Sequence, residues 1–383
     1  MYIYGVLNSN EELFFGPHGV SACEEVYPVR NITEAGQDSK ISNGVYTVSY
    51  QDISAVVSDS EMVDTSTSLS IDPERAKRVE RVDYTHMRKD ALAMLLVRHQ
   101  KAIEKIMGLG HTIIPMRLGT FAKDEAEIKH ILACGHTVIK DIFGKISNMI
   151  ETDITATWGD FNSILKEIGE DEEIKKIKER LLINPKAVTV DDQMKIGLMV
   201  KKVLESKREG YAKEIQDTLK SVSQDFKAHE LMDDKMVANM AFLINKARHK
   251  DFEVKVDGLN TEFGEKLNFR CVGPLPPYSF YTLEIKTLKN EEVDWAKKRL
   301  GVSGDITSKN ELKKAYQRQA LSTHPDRNLN APGAAKEFDE VNKAYKILAD
   351  YCAANEQTNP VRDEKSLNGA NQKENAILVK VRE

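Results

Sequence analysis

The 383-residue chain has four cysteines, and Cys23, Cys134, Cys271 and Cys352 are too far apart to form any CxxC pair. That excludes a disulfide framework or a zinc ribbon and fits a reducing compartment. Long hydrophobic runs are also missing. The longest, ALAMLLV at 91–97, is far short of the ~20 residues that span a bilayer. The N-terminal MYIYGVLNSN has no basic segment ahead of an apolar core, so no secretory signal is expected and a cytoplasmic protein is. No glycine-rich phosphate loop is present, because GLGHT at 108–112 follows a helical pattern, the wrong order for a dinucleotide fingerprint. Nor do acids, bases and metal ligands converge in sequence, so neither an enzyme nor a bound cofactor is expected.

Charge of one sign is scarce as well. The net charge is −5, too small and of the wrong sign for a nucleic-acid binder. It is unevenly spread: Asp294 to Asp350 carries 11 Lys/Arg against 8 Asp/Glu, so a locally basic segment sits on an acidic chain. That balance suits an acidic protein partner, with neither nucleic acid nor membrane expected as one.

What is present reads as strands and helices in alternation. YIYGVL (2–7) reads as a buried strand, and 44–61 as a hairpin turning at Gln51-Asp52. Residues 73–108 carry a helical pattern opened by Pro73, with Val79, Val82, Met87, Ala91, Met94, Ala102 and Ile106 near its apolar face and Met94 and Leu95 read as core. HTIIPMRLGTF (111–121) reads as a returning strand, and HILACGHT (130–137) as a helix end at Gly135. His130, Cys134 and His136 lack a fourth ligand partner, which makes a metal site a poor reading. His86, His99 and His111 read as structural histidines, and Arg117 as an ion-pair partner. Further on, 152–158 reads as a strand, 161–183 as a charged helix, 190–226 as a helix, 237–245 as a strand, 248–263 as a helix and 266–280 as a strand entering a proline-rich turn. Residues 281–292 read as a short helical connector, 294–351 as an all-helical unit, and the polar stretch from 352 as largely disordered as far as AILVKVRE.

Within 294–351, Leu312, Ala315, Tyr316 and Ala320 share one helical face, and Lys313, Lys314 and Arg318 point away from it. Pro325 disfavours helix at His324, so the tripeptide His324-Pro325-Asp326 should project as a loop. Phe338, Val341, Tyr345 and Leu348 then form a second apolar face. In order and spacing, RLGV (299–302), ELKKAY, HPDRN and FDEVNKAYKILAD resemble helices I to III of a J domain, the module by which co-chaperones engage DnaK-type ATPases. The resemblance implies that His324, Pro325 and Asp326 contact the ATPase while Lys313, Lys314 and Arg318 meet an acidic surface. Gln319 stands where the family favours a core Leu, Thr323 where an aromatic is common, and Trp295 begins a helix I without the usual tyrosine pair.

The front of the chain carries a second likeness. MYIYGVL, DISAVVSD (52–59), HQKAIEKIM…TIIPMRLGTF (99–121) and GPLPPYSF (273–280) resemble the signature segments of the gas vesicle GvpL/GvpF family across roughly residues 1–285. The family implies an α+β fold class: two consecutive modified ferredoxin-like domains at 1–150 and 151–285, joined by a 286–293 linker to the J domain at 294–351 and a tail at 352–383. In GPLPPYSF, Pro274, Pro276 and Pro277 hold an extended strap that Tyr278 and Phe280 anchor to the sheet; a plain domain-ending turn is the alternative. Gas vesicle shell protein is small, apolar and prone to β-assembly, so the two likenesses together imply an assembly factor or minor vesicle component. Its partners would be a DnaK-type ATPase and gas vesicle shell and accessory proteins, and its place the cytoplasm and the vesicle. A structural component with an idle J-like cap, and a general co-chaperone, are the rival readings.

Overall fold

The computed structural model describes residues 1–15, 44–59, 89–183, 189–302, 309–327, 333–358 and 375–382. The expected helical stretch 73–88, with Pro73 and His86, and Cys23 lie outside the described residues. Two compact units emerge, one made of Met1–Lys145 with Tyr281–Glu383 and the other of Ile146–Phe280.

The first unit opens on a five-stranded sheet of β1 (Tyr2–Leu7), β2 (Phe14–Phe15), β3 (Val45–Tyr50), β4 (Ile53–Ser58) and β5 (Ile113–Pro115), in the order β2-β3-β4-β1-β5. β1 and β4 are buried along their whole length, which explains their mostly apolar sequence; the two buried serines of β4 are hydrogen-bonded, Ser54 Oγ donating to Ser9 O and Ser58 Oγ meeting Tyr4 Oη. The β3–β4 hairpin turns at Gln51, whose φ is 52°, as the Gln51-Asp52 reading requires. Helix α1 (Lys89–Gly108) buries His99, Ile103 and Ile106. Of its earlier residues, Ala91, Leu92 and Leu95 are half-buried. Met94 is 58% exposed, correcting the expectation that it is core. His99, buried by desolvation to a pKa of about 4, takes a 2.7 Å bond from Tyr2 Oη at Nδ1, the role of a neutral structural histidine.

Helix α2 (Glu125–Ile146) corrects the reading of Gly135 as a helix end, because the helix runs eleven residues further. The glycine has a different cause. A Cβ there would lie 2.9 Å from Val379 Cβ, so only a residue without a side chain admits the C-terminal strand.

That strand is the organising feature of the unit. Residues 281–292, expected as a helical connector, instead form β10 (Leu283–Leu288) and open helix α8 (Asn290–Leu300); β10 pairs antiparallel with β11 (Ala376–Val381) in full register. Alternation gives this ribbon two apolar faces. Leu283 and Val379 line an apolar cavity with Ile3, Val6, Met116 and Ile139. On the other face, Leu288 and Leu378 join the core of α8, α9 (Lys309–Thr323) and α10 (Ala334–Thr358) with Val293, Leu312, Val341 and Leu348. Backbone and ion pairs hold both sides. Met116 bridges Leu283 and Arg117 N–H donates to Leu283 O at 2.8 Å. Arg117 Nη1 meets the buried Glu284 carboxylate at 2.9 Å, the expected ion pair. Lys286 pairs with Asp350 of α10. The side-chain amide of Gln357 satisfies both N–H and C=O of Val379, closing the exposed edge of the ribbon. The stretch expected to be disordered from 352 therefore begins by continuing α10 to Thr358, while AILVKVRE, excepted from that expectation, supplies a core strand that buries Ile377, Leu378 and Val379.

In the second unit β6 (Met149–Trp158), β7 (Asp225–Ala228), β8 (Met236–Asn245) and β9 (Leu267–Leu275) form an antiparallel sheet in the order β7-β8-β6-β9. With three helices after β6 and one after β8, this is the strand order of a ferredoxin-like fold. The expected 161–183 helix is two, α3 (Phe161–Gly169) and α4 (Glu172–Ile183), because the Asp171 carboxylate accepts from Glu173 and Ile174 N–H and starts the second. Helix α5 (Val190–Lys220) stops short of Phe226, which lies in β7; Gln224 N–H donates to Leu243 O and draws the chain into the sheet. Helix α6 (His249–Phe263) buries Phe252, Val256, Leu259 and Phe263. After β9 a single turn, α7 (Tyr278–Tyr281), ends the unit's chain. There Ser279 donates through N–H and Oγ to the buried Glu151 carboxyl at 2.8 and 2.7 Å. Burial pushes the Glu151 carboxyl well up, the Ser279 bonds pull it back, and neighbouring Asp153 adds to the rise; Asp153 is itself raised by burial against the charge of His229.

Two outcomes follow from this packing. Leu378→Ala should lower unfolding stability by about 3 kcal/mol, read by urea denaturation; wild-type stability would mean that β11 is not part of the core. For Glu151, the folded carboxyl holds its proton above the pH at which the unfolded one loses it. Its contribution is therefore present at mildly acidic pH and is lost as pH rises. Melting temperature should fall from about pH 5 to about pH 8, and Glu151→Gln, which still accepts from Ser279, should flatten that slope.

Candidate functional site

The site expected at the His-Pro-Asp tripeptide lies where α9 ends. Leu312 and Ala315 are buried and Tyr316 and Ala320 partly so, against α8 and α10, which leaves Lys313, Lys314 and Arg318 exposed on the opposite side. Tyr316 stitches α9 to α10 twice, by ring contact with Tyr345 at 4.5 Å and by its hydroxyl donating to Asn342 Oδ1 at 2.8 Å. Arg299 of α8 reaches the Glu340 carboxylate and the Glu337 carbonyl of α10. Together these fix the helix pair that frames the tripeptide.

Helix α9 stops at Thr323, one residue before His324, as Pro325 dictates. Pro325, Asp326 and Arg327 form one 3-10 turn closed by Arg327 N–H on His324 O at 3.1 Å. The His324 ring is oriented from two sides. Its Nδ1 accepts the Asp326 N–H at 3.2 Å, and Phe338 of α10 meets it edge to face at 5.2 Å. The acceptor role of Nδ1 leaves the proton of a neutral ring on Nε2. The side chains remain accessible, His324 at 42% and Asp326 at 85%. The turn thus presents an imidazole, a proline and a carboxylate outward at the end of a helix whose exposed face carries three cations, groups able to form charge-assisted hydrogen bonds.

The departures from J-domain pattern have local answers. Thr323 is buried, and its hydroxyl donates to Gln319 O at 2.8 Å, so no polar group is orphaned. Gln319 is half-buried. Trp295, 37% exposed, lies under Lys343 Nζ at 5.6 Å, a cation–π contact joining α8 to α10.

The strap residues do not gather with this site; they belong to the second unit. Pro276, Pro277 and Phe280 are buried, Tyr278 is half-buried and Pro274 is exposed in β9. The chain is not extended to Phe280 as expected, since α7 turns it at Tyr278. Sequence reasoning missed the polar clasp of Ser279 on Glu151, joined by His229 Nε2 at 3.1 Å from Ser279 Oγ. Two acids, Glu151 and Asp153, within a mostly buried strand were the one signal for it. Among the described residues no three His, Cys, Asp or Glu side chains are placed to hold a metal ion. Cys134, 3.7 Å from His130 Nε2, has its thiol pushed up to about 11 by burial, which makes it a poor ligand. No helix among the described residues is long and apolar enough to cross a membrane.

Comparison with known proteins matches both parts. The family model for gas vesicle synthesis protein GvpL/GvpF matches residues 1–282, and that for the DnaJ domain matches residues 298–353. Gas vesicle protein F of Haloferax mediterranei is 21% identical over 287 residues, 74% of this chain and 94% of its own. Its counterpart in Microcystis aeruginosa is 23% identical over 190 residues, 49% of this chain and 77% of its own. The chaperone protein DnaJ of Salinibacter ruber is 47% identical over 51 residues, 13% of each chain. In fold, the crystal structure of GvpF from Anabaena sp. PCC7120 superposes with a TM-score of 0.52 at 20% identity, covering 73% of this chain and 96% of that one. The chain belongs to the GvpL/GvpF gas vesicle protein family and carries a DnaJ domain behind the family's α+β fold.

Proposed function

We propose that this protein is a gas vesicle assembly factor or minor vesicle component that recruits a DnaK-type ATPase through His324, Pro325 and Asp326. Its GvpL/GvpF portion addresses shell or accessory proteins of the vesicle, and it acts in the cytoplasm and on the vesicle without catalytic residues of its own. The observation that carries the reading is the outward-facing tripeptide turn, fixed by the Asp326–His324 bond and flanked by exposed Lys313, Lys314 and Arg318.

The cations steer the acidic partner into register, which raises association rate and makes binding salt-sensitive. Asp326 then accepts from a partner guanidinium, and His324 supplies a directional ring nitrogen. Apolar shell subunits that would otherwise self-assemble as β-structure are brought within reach of an ATP-driven chaperone and stay assembly-competent.

The expected result is stimulation of DnaK-type ATP turnover by purified protein, reduced at least roughly tenfold by His324→Gln, with loss of buoyancy in cells carrying that variant. Unchanged turnover and unchanged buoyancy would leave a vesicle component with an idle cap. Clients retained in cells lacking the shell protein would instead mark a general co-chaperone.

A further inference from the structure

Helix α5 is 31 residues long, and its buried residues, Ile215 and Leu219, both lie in its second half. Its first half carries an apolar stripe that the unit leaves in solvent: Val190 is 72% exposed, Met194 60% and Leu198 63%. These recur every fourth residue and so share one face. Gly197 lies beside them, and a Cβ there would meet nothing within 4 Å. The packing of this unit does not require a glycine at that point, although glycine inside a helix costs about 1 kcal/mol relative to alanine. The stripe is held in helical form by its own cap: Thr189 Oγ1 accepts from Asp192 N–H, and the Asp192 carboxylate accepts from Thr189 N–H.

We propose that this stripe is a self-association surface whose occupant is α5 of a second copy, packed antiparallel about a two-fold axis. Charge selects that partner and direction. A register that sets Met194 against Leu198 also sets Asp191 against Lys201, and two-fold symmetry repeats each pair. Parallel alignment would instead place Asp191 beside Asp191. Among the described residues Lys201 makes a long, exposed 3.7 Å pair with Glu205, worth little in solvent, so it is available to turn toward a partner carboxylate. The bare Gly197 lets the two backbones approach closely at the centre of the contact.

A stripe of this length lies at the low end of specific interfaces, so the dimer is weak, with a dissociation constant of roughly tens of micromolar. Sedimentation equilibrium of the full chain over a concentration series tests this. Wild type should dimerise in a salt-dependent manner. Met194→Glu should weaken dimerisation at least about tenfold with an unchanged circular dichroism spectrum, since the side chain supports no core. Asp191→Lys and Lys201→Asp should each weaken it, and the two combined should restore it. A wild type that stays monomeric at ~100 µM, single variants that dimerise normally, or a double variant that fails to recover would overturn the proposal. None of these readings depends on the ATPase, so failure here is distinguishable from failure of the chaperone-recruiting function.

Discussion

The first unit depends on a two-stranded ribbon with no solvent-facing apolar side. β10 and β11 come from either end of the helical module, and among the described residues neither has another sheet neighbour beyond the single Met116–Leu283 bridge. Once paired, strand alternation sends Leu283 and Val379 one way and Leu288 and Leu378 the other. One small element therefore belongs to two hydrophobic cores. Neither core is complete without it, which is why Gly135 is bare where Val379 enters and why Gln357 spends its amide on the edge of that strand.

This arrangement decides how the tripeptide is offered. A J domain on a flexible linker would sample orientations freely, and its partner would be concentrated near the vesicle protein only as the linker's reach allows. Here the connection is a hydrogen-bonded ribbon braced by Arg117–Glu284 on one side and Lys286–Asp350 on the other. His324 and its cations accordingly keep a set attitude toward the N-terminal sheet. The entropy of orienting the module is met on folding and is not charged again when a partner binds.

Much of this was legible from residue order alone. The β1 run, the β3–β4 turn at Gln51, the helix stop before Pro325 and the apolar faces of α9 and α10 each rest on a local rule that nothing distant overrides. The misreadings of Gly135 and of the 281–292 connector share one cause. Gly135 looked like a helix stop because glycine usually is one, whereas its reason lies 244 positions away at Val379. The connector at 281–292 looked helical because a two-stranded ribbon has no local signature when its strands are separated by a whole helical module. Met94 was assigned to a core by periodicity, but periodicity reports a face and not what covers it. At the site, the tripeptide and its flanking cations could be read directly; the Nδ1 bond that orients His324 and the Phe338 ring against it could not, since both are matters of turn geometry and tertiary approach.

The same distinction separates two exposed surfaces among the described residues. Lys313, Lys314 and Arg318 face solvent opposite a packed helix face, and charge in water carries no penalty that calls for cover; such a surface can wait for a partner without destabilising the monomer. Val190, Met194 and Leu198 are different. Each leaves apolar area in water that the helix could have avoided with polar residues at no loss of helix propensity. In the proposed dimer, an acid at one end of the stripe and a lysine at the other oppose each other when the helix is reversed, which makes the exposed area a complement of itself. In the functions proposed, the first surface receives a visitor of opposite charge and the second a copy of the same helix.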